Sequence, residues 1–286
     1  MTGQLDVPEI RRDGRLEGKT AIVTGGGSDG ELAGSGAAIS VTLALKGANV
    51  VIIELDDKRA RHTLAAIEAE GFTASFFIAD ITDAAQCQSA VDFTLANFGR
   101  VDVLVNNAAI APGEQEPSEE LWDRIVDLNL KATYLLSNAV IATMKTQGGG
   151  SIINISSISA FRAGGGAAYS AAKGGMVALG KAMAWDQGKY GIRVNSVAPG
   201  HVALPMGLGF TGWTADNEAG KKTRIRRARA SMLGTEGNGW DIANAVLFYA
   251  SDESRYVTAT AMPVDGGAIE VFPIVMWPQL ANIDDE

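Results

Sequence analysis

Cysteine is nearly absent from this 286-residue chain, with Cys87 as the single example. That excludes an internal disulfide and a cysteine-built metal cluster. Histidine is almost as scarce, since only His62 and His201 occur, so a histidine-based metal centre is not expected and no metal is assigned. No apolar run approaches the ~20 residues of a membrane-spanning helix. The opening "MTGQLDVPEIRRDGRLEGK" is polar and has no apolar leader core, so a cytoplasmic protein with no membrane partner is expected. Basic charge is also short, with Lys+Arg 24 against Asp+Glu 33 and a net charge of -9. A nucleic-acid partner is therefore not expected either. No linker rich in proline and serine divides the chain, and no repeat of solenoid period is visible, which favours one domain.

What is present is a steady alternation of apolar runs and helical patterns. "KTAIVTGGG", "NVVIIELD", "ASFFIAD", "VDVLVNNAA", "GGGSIINIS", "IRVNSVAPG" and "ATAMPVDGG" read as seven strands. Helices are predicted from Gly34 to Lys46, Asp57 to Glu70, Asp83 to Phe98, after a Ser118 cap with Glu119 and Glu120 in the first turn, and from Ala168 to Gln187. Alternation at crossover length implies an α/β fold: a single doubly wound Rossmann domain, with a central parallel sheet of about seven strands and helices on both faces. The expected divisions are an N-terminal extension at 1–17, the catalytic domain at 18–270, and a C-terminal tail at 271–286. Residues 201–235 form the most irregular insertion and are expected to act as a substrate lid.

"TGGGSDGELAGSG", from Thr24 to Gly36, follows the first predicted strand and leads into the first helix. In that context glycine lets a pyrophosphate approach the backbone amides and the helix N-terminus. Glu54 ends the next strand, where it would accept hydrogen bonds from the adenosine ribose and repel a 2'-phosphate. No Arg or Lys lies between Asn49 and Asp57 to offset that repulsion, so NAD(H) is expected rather than NADP. Asp56 and Asp57 lie close enough to compete for the role. Further along, "YSAAK" sets Tyr169 and Lys173 four residues apart, on one face of a helix. A neighbouring ammonium would bring the phenol pKa down and fit tyrosine for acid/base work. The run "NISSIS", at the end of a strand, offers a serine hydroxyl to a substrate oxygen.

These motifs, together with Ala79–Asp80, "NNAA" from Asn106, "DLN" from Asp127, "NSVAPG" from Asn195 and "PVDGG" from Pro263, resemble the short-chain dehydrogenase/reductase family over about Leu16 to Ile269. The resemblance implies a catalytic tetrad of Asn129, Ser157, Tyr169 and Lys173. Tyr169 would be the acid/base, Lys173 would lower its pKa and hold the nicotinamide ribose, Asn129 would help anchor a water, and Ser157 would polarise the substrate oxygen. One residue fewer than the family's commonest spacing separates Ser157 from Tyr169, which leaves Ser156 open. Matching both ends of the glycine loop makes Asp29–Ala33 a five-residue insertion. It also assigns Gly25, Ser28, Gly34, Ser35 and Gly36 to the cofactor, with Asp29 and Glu31 expected to point away from its pyrophosphate. The implied cofactor contacts continue through Glu54, Asp80, Ile81, Asn107, Ala108, Ala109, Tyr169, Lys173, Pro199, Gly200 and Val202. Leu204 stands where the family usually has threonine.

In the lid, Phe210 and Trp213 are candidates to close over an apolar substrate alongside Ser157. The basic run from Lys221 to Arg229 reads as a solvated or subunit-facing helix, with an anionic substrate as the alternative. The apolar tail "VFPIVMWPQL" would pack on a neighbour or fold over the pocket, and the resemblance implies a homotetramer or homodimer. The expected partner is a small-molecule alcohol or ketone, interconverted with NAD(H) as a cyclic or hydrophobic secondary alcohol and its ketone. A ketoacyl-type reductase and a non-catalytic nucleotide-binding protein are the alternatives.

Overall fold

The computed structural model describes residues 3–113, 117–204 and 218–271. The seven expected strands are present as β1 (Thr20–Thr24), β2 (Asn49–Glu54), β3 (Ala74–Ile78), β4 (Val103–Asn106), β5 (Gly150–Ile155), β6 (Ile192–Pro199) and β9 (Ala261–Val264). They form one sheet in the order β3-β2-β1-β4-β5-β6-β9 with every pairing parallel. Because helices cover both faces, the strands read as unbroken apolar runs rather than alternating ones. Within β2, Val50 and Ile52 enter one core while Val51 and Ile53 enter the other; in β1, Ala21 and Val23 oppose Ile22. The order reverses between β1 and β4, opening a crevice at the carboxyl edge of the sheet.

The helices that frame this crevice are α1 (Ser35–Leu45), α2 (Asp57–Ala69), α3 (Ala84–Phe98), α4 (Glu119–Val126), α5 (Ala132–Gln147) and α6 (Ala167–Gln187). Their starts follow local chemistry. Asp56 and Asp83 cap α2 and α3 by accepting from backbone N–H groups, and Ser118 caps α4 as expected. Between α4 and α5 the chain widens into a π-turn at Asp127–Lys131. Helix α1 differs in being apolar on every side: all of its residues from Gly36 to Leu45 are buried. It packs on β1 and β2 alongside α8 (Gly239–Ala250), which also rests on the sheet, and Gly239 permits the close approach.

The region expected to be irregular holds order at both of its ends. A two-residue strand, β7 (Val202–Ala203), pairs with β8 (Gly237–Asn238), and the basic run forms α7 (Glu218–Arg229). Asn238 and Asp241 make a reciprocal capping box that starts α8. The N-terminal segment lies across the domain rather than away from it. Leu5 and Leu16 are buried in the core, the Asp6 N–H donates to the Glu31 carbonyl at 3.1 Å, and Gly3 O lies 2.9 Å from His62 Nε2. No described helix is long and apolar enough to cross a membrane. Phe210, Trp213 and the tail from Phe272 lie outside the described residues.

Candidate active site

A cleft of about 650 Å³ opens at the carboxyl edge of the sheet, lined from the glycine loop at one end to Tyr169 and Lys173 at the other. The loop is held by a chain of specific contacts. Gly25 takes a left-handed φ of 59°, and its N–H donates to Ile53 O at 2.8 Å. A side chain at Gly36 would place its Cβ 1.9 Å from the Gly25 carbonyl oxygen, so only glycine fits at this helix start. Ser35 Oγ donates to Asn107 Oδ1 at 2.7 Å, while Asn107 Nδ2 donates to the carbonyls of Thr24 and Gly25. Thr24 Oγ1 in turn accepts from the N–H groups of Asn107 and Ala108. The result is a cradle of backbone at the N-terminus of α1, suited to an anionic diphosphate.

At the next station along the cleft, Glu54 is buried and its pKa is raised, with desolvation as the largest cause. Arg59 opposes that shift; its Nη1 lies 3.7 Å from Glu54 Oε1. Asp29 also lines the cleft, and its charge pushes the Glu54 pKa upward. Glu31 does turn away, toward Gly3 of the N-terminal segment. Asp80 lines the cleft beside Ile81, its Oδ1 accepting from Thr82 N–H and Oγ1.

The two serines have separate tasks. Ser156 is buried and spends its hydroxyl on the Lys173 carbonyl at 2.9 Å, stapling β5 to α6. Ser157 borders the cleft and its hydroxyl acts on Tyr169. The phenol pKa is nevertheless raised, because burial outweighs the Ser157 hydrogen bond. Lys173, fully buried, donates from Nζ to Ile155 O at 2.7 Å, and burial pushes its pKa down to about 7. The expected lowering of the tyrosine pKa by a fixed ammonium is therefore not met by the chain alone. A half-neutral lysine near pH 7 is a weaker electrostatic partner than a permanent cation. Asn129 sits in the π-turn and lies outside the cleft lining; its carboxamide grips the backbone of Ile110 twice, through Ile110 N–H at 3.1 Å and Ile110 O at 2.8 Å.

On the far wall are Pro199, Gly200, Val202 and Leu204. Gly200 packs so closely that an added Cβ would lie 2.3 Å from Asp265 Cβ. Asp265 caps the turn of "PVDGG" by accepting from Gly267 and Ile269 N–H groups, which gives that motif a structural purpose.

A family model described as enoyl-(acyl carrier protein) reductase matches residues 30–268. The chain is 37% identical over 258 residues to 2,5-dichloro-2,5-cyclohexadiene-1,4-diol dehydrogenase LinX of Sphingobium indicum, covering 88% of this chain and 97% of that one. It is 36% identical over 257 residues to cyclopentanol dehydrogenase of Comamonas testosteroni, covering 89% and 98% respectively. A crystal structure from Burkholderia xenovorans, described as a short-chain dehydrogenase/reductase, superposes with a TM-score of 0.84 at 38% identity, covering 91% of this chain and 100% of that one. This chain belongs to the short-chain dehydrogenase/reductase family.

As a member of that family it is an oxidoreductase on a dinucleotide-binding fold. Two cations that line the cleft of this dehydrogenase/reductase, Arg59 and Arg227, are not marked as cleft residues by its sequence. Arg59 lies just past the cation-free stretch from Asn49 to Asp57, and the first turn of α2 folds it back to Glu54. Arg227 belongs to the basic run, yet its side chain is only 16% exposed and lines the cleft, contrary to a wholly solvated or subunit-facing helix. Helical phase does not single out Arg227, because α7 has no apolar stripe to set its orientation.

Proposed function

We propose that this dehydrogenase/reductase interconverts a secondary alcohol, cyclic or otherwise hydrophobic, and its ketone, with NAD(H) as the hydride carrier. The observation that carries the reading is the convergence, in one cleft, of a backbone cradle that excludes side chains at Gly36 with Ser157, Tyr169 and Lys173. NAD is favoured over NADP because buried Glu54 meets the adenosine end as a carboxylate, where a 2'-phosphate would be a like charge. A ring-shaped substrate is supported by the two relatives named for a cyclohexadienediol and for cyclopentanol.

The residues fit such a cofactor. Gly25, Ser28, Gly34, Ser35 and Gly36 would surround its diphosphate, Glu54 its adenosine ribose, Asp80 and Ile81 its adenine. Asn107, Ala108 and Ala109 would form one wall, and Pro199, Gly200 and Val202 would face its nicotinamide end. When bound, the nicotinamide takes up hydride from the carbinol carbon or returns it. Ser157 holds the substrate oxygen, and Tyr169 accepts the alcohol proton during oxidation and donates it during reduction. Lys173, anchored on Ile155 O, holds the nicotinamide ribose and supplies positive charge beside the phenol once protonated. Asn129 keeps the π-turn and the Ile110 segment in register. Assembly as a homodimer or homotetramer is supported by exposed Trp122, Tyr134 and Trp185 on α4, α5 and α6.

An absorbance assay at the reduced-nicotinamide band tests the reading, using NAD and NADP with cyclic, aromatic, open-chain and anionic secondary alcohols. NAD-dependent oxidation with highest kcat/KM for cyclic alcohols is expected. Preference for NADP, or no turnover with any alcohol or ketone in either direction, overturns it.

A further inference from the structure

The cleft is lined by three cations among the described residues, and they occupy different places. Arg59 pairs with Glu54 at one end, and Lys173 is bonded to Ile155 O at the other. Arg227 is the third, and it reaches the cleft from α7, in the stretch expected to act as a lid. Its Nη2 donates to Val202 O, and its Nε lies 3.0 Å from Glu236 Oε1 without hydrogen-bond alignment. The Glu236 side chain is only 7% exposed and accepts from Arg224 Nε at 2.9 Å. A buried carboxylate thus holds the guanidinium in place, at a cost that makes sense when the held cation has an anion to meet.

The ladder around Val202 places that cation near the glycine loop. Val202 pairs with Gly237, and Gly239, two residues on, packs so tightly on the loop that an added Cβ would lie 3.0 Å from Ala33 O and 3.2 Å from Gly34 O. Gly34 is the N-cap of α1, and Gly34, Ser35, Gly36 and Arg227 border the same cleft. On the Val202 side, the neighbouring wall residues Pro199, Gly200 and Leu204 bring no side-chain donor. The cleft also carries four carboxylates, Asp29, Glu54, Asp56 and Asp80, which oppose an anionic ligand.

We propose that Arg227 is a cofactor-binding residue that reaches from α7 to the diphosphate, opposite the backbone N–H groups of α1. The proposal rests on the reading of this cleft as the NAD(H) site. It joins lid and cofactor directly: the charge that completes the anion site belongs to the segment expected to cover the substrate.

The test compares the full-length protein with Arg227→Met and Arg227→Lys, titrating NADH by fluorescence and competing it with ADP and with adenosine. Arg227→Met is expected to weaken NADH and ADP about tenfold and by similar factors, while adenosine, which lacks phosphate, is unchanged. Arg227→Lys, which keeps the charge, is expected to recover part of the loss. ADP and NADH affinities equal to wild type in Arg227→Met overturn the proposal, as does a raised KM for the alcohol with cofactor affinity intact. An equal loss for adenosine also overturns it, since that marks general damage to the cleft, and Arg227→Lys then reports whether charge mattered. Wild-type protein that binds neither NADH nor NADPH defeats the cofactor reading itself; wild-type binding and turnover with an unaffected Met variant defeats only the role of Arg227.

Discussion

Lys173 directs its Nζ at the Ile155 carbonyl, 2.7 Å away, and lies 5.6 Å from the centre of the Tyr169 ring. The lysine is thus bonded to the sheet, at the cost of burying an ammonium. Its pKa of about 7 in the folded chain is well below the ordinary 10.5. Between those two values the unfolded chain keeps a proton that the folded chain has released, so this group makes stability rise with pH over that window. Below about 7 the full penalty of the buried charge is felt. Lys173→Met is expected to melt higher than wild type near pH 7, with the advantage shrinking toward pH 10. Thermal unfolding of the cofactor-free proteins checks this, and a gap that does not vary with pH contradicts it.

Tyr169→Phe removes the hydroxyl and leaves the ring. Turnover should fall about 10²–10⁴-fold, the usual range for a lost acid/base, while NADH affinity stays near the parental value. Steady-state rates and a fluorescence titration separate the two. Near-parental turnover would show that the proton travels by another group.

Two glycines in the same loop should respond oppositely to alanine. At Gly36 the new Cβ meets backbone 1.9 Å away, whereas at Gly30 nothing lies within 4 Å. Gly36→Ala is expected to abolish measurable NADH binding, and Gly30→Ala to leave it within about twofold. Equal behaviour of the two would mean that the register assigned to the loop is wrong.

Selectivity between the cofactors should depend on Glu54. Glu54→Gln removes the charge facing a 2'-phosphate and releases Arg59 from its partner, so the ratio of NADP to NAD kcat/KM should rise at least about tenfold. Measured ratios for wild type, Glu54→Gln and the double variant with Arg59→Met would assign the gain. No change in Glu54→Gln would remove Glu54 as the determinant.

The parts legible in the sequence are those governed by strong local rules. Seven apolar strands, the Ser118 cap and the helix starts near Asp57 and Asp83 all follow from short-range chemistry. The pair β7 and β8 escaped notice because two residues carry no periodicity. Ser156 and Ser157 could not be separated by sequence, since adjacent strand-end residues point to opposite sides and only the packing of α6 reveals which is engaged with Lys173. That Asp29 lies near Glu54 depends on how the insertion folds, which no local pattern in the sequence encodes. Arg227 was hidden in a run of like residues whose inward member is chosen by a distant carboxylate, Glu236.

The burial of α1 on all sides has a consequence for how the protein opens. A helix enclosed by both the sheet and α8 can exchange its amide hydrogens only when that packing is lost, so its protons should be among the last to be replaced in deuterated water. The glycine cradle is the first turn of this helix. Local openings of the molecule should therefore leave this turn formed, so that a partly open protein still presents the backbone cradle at the start of α1.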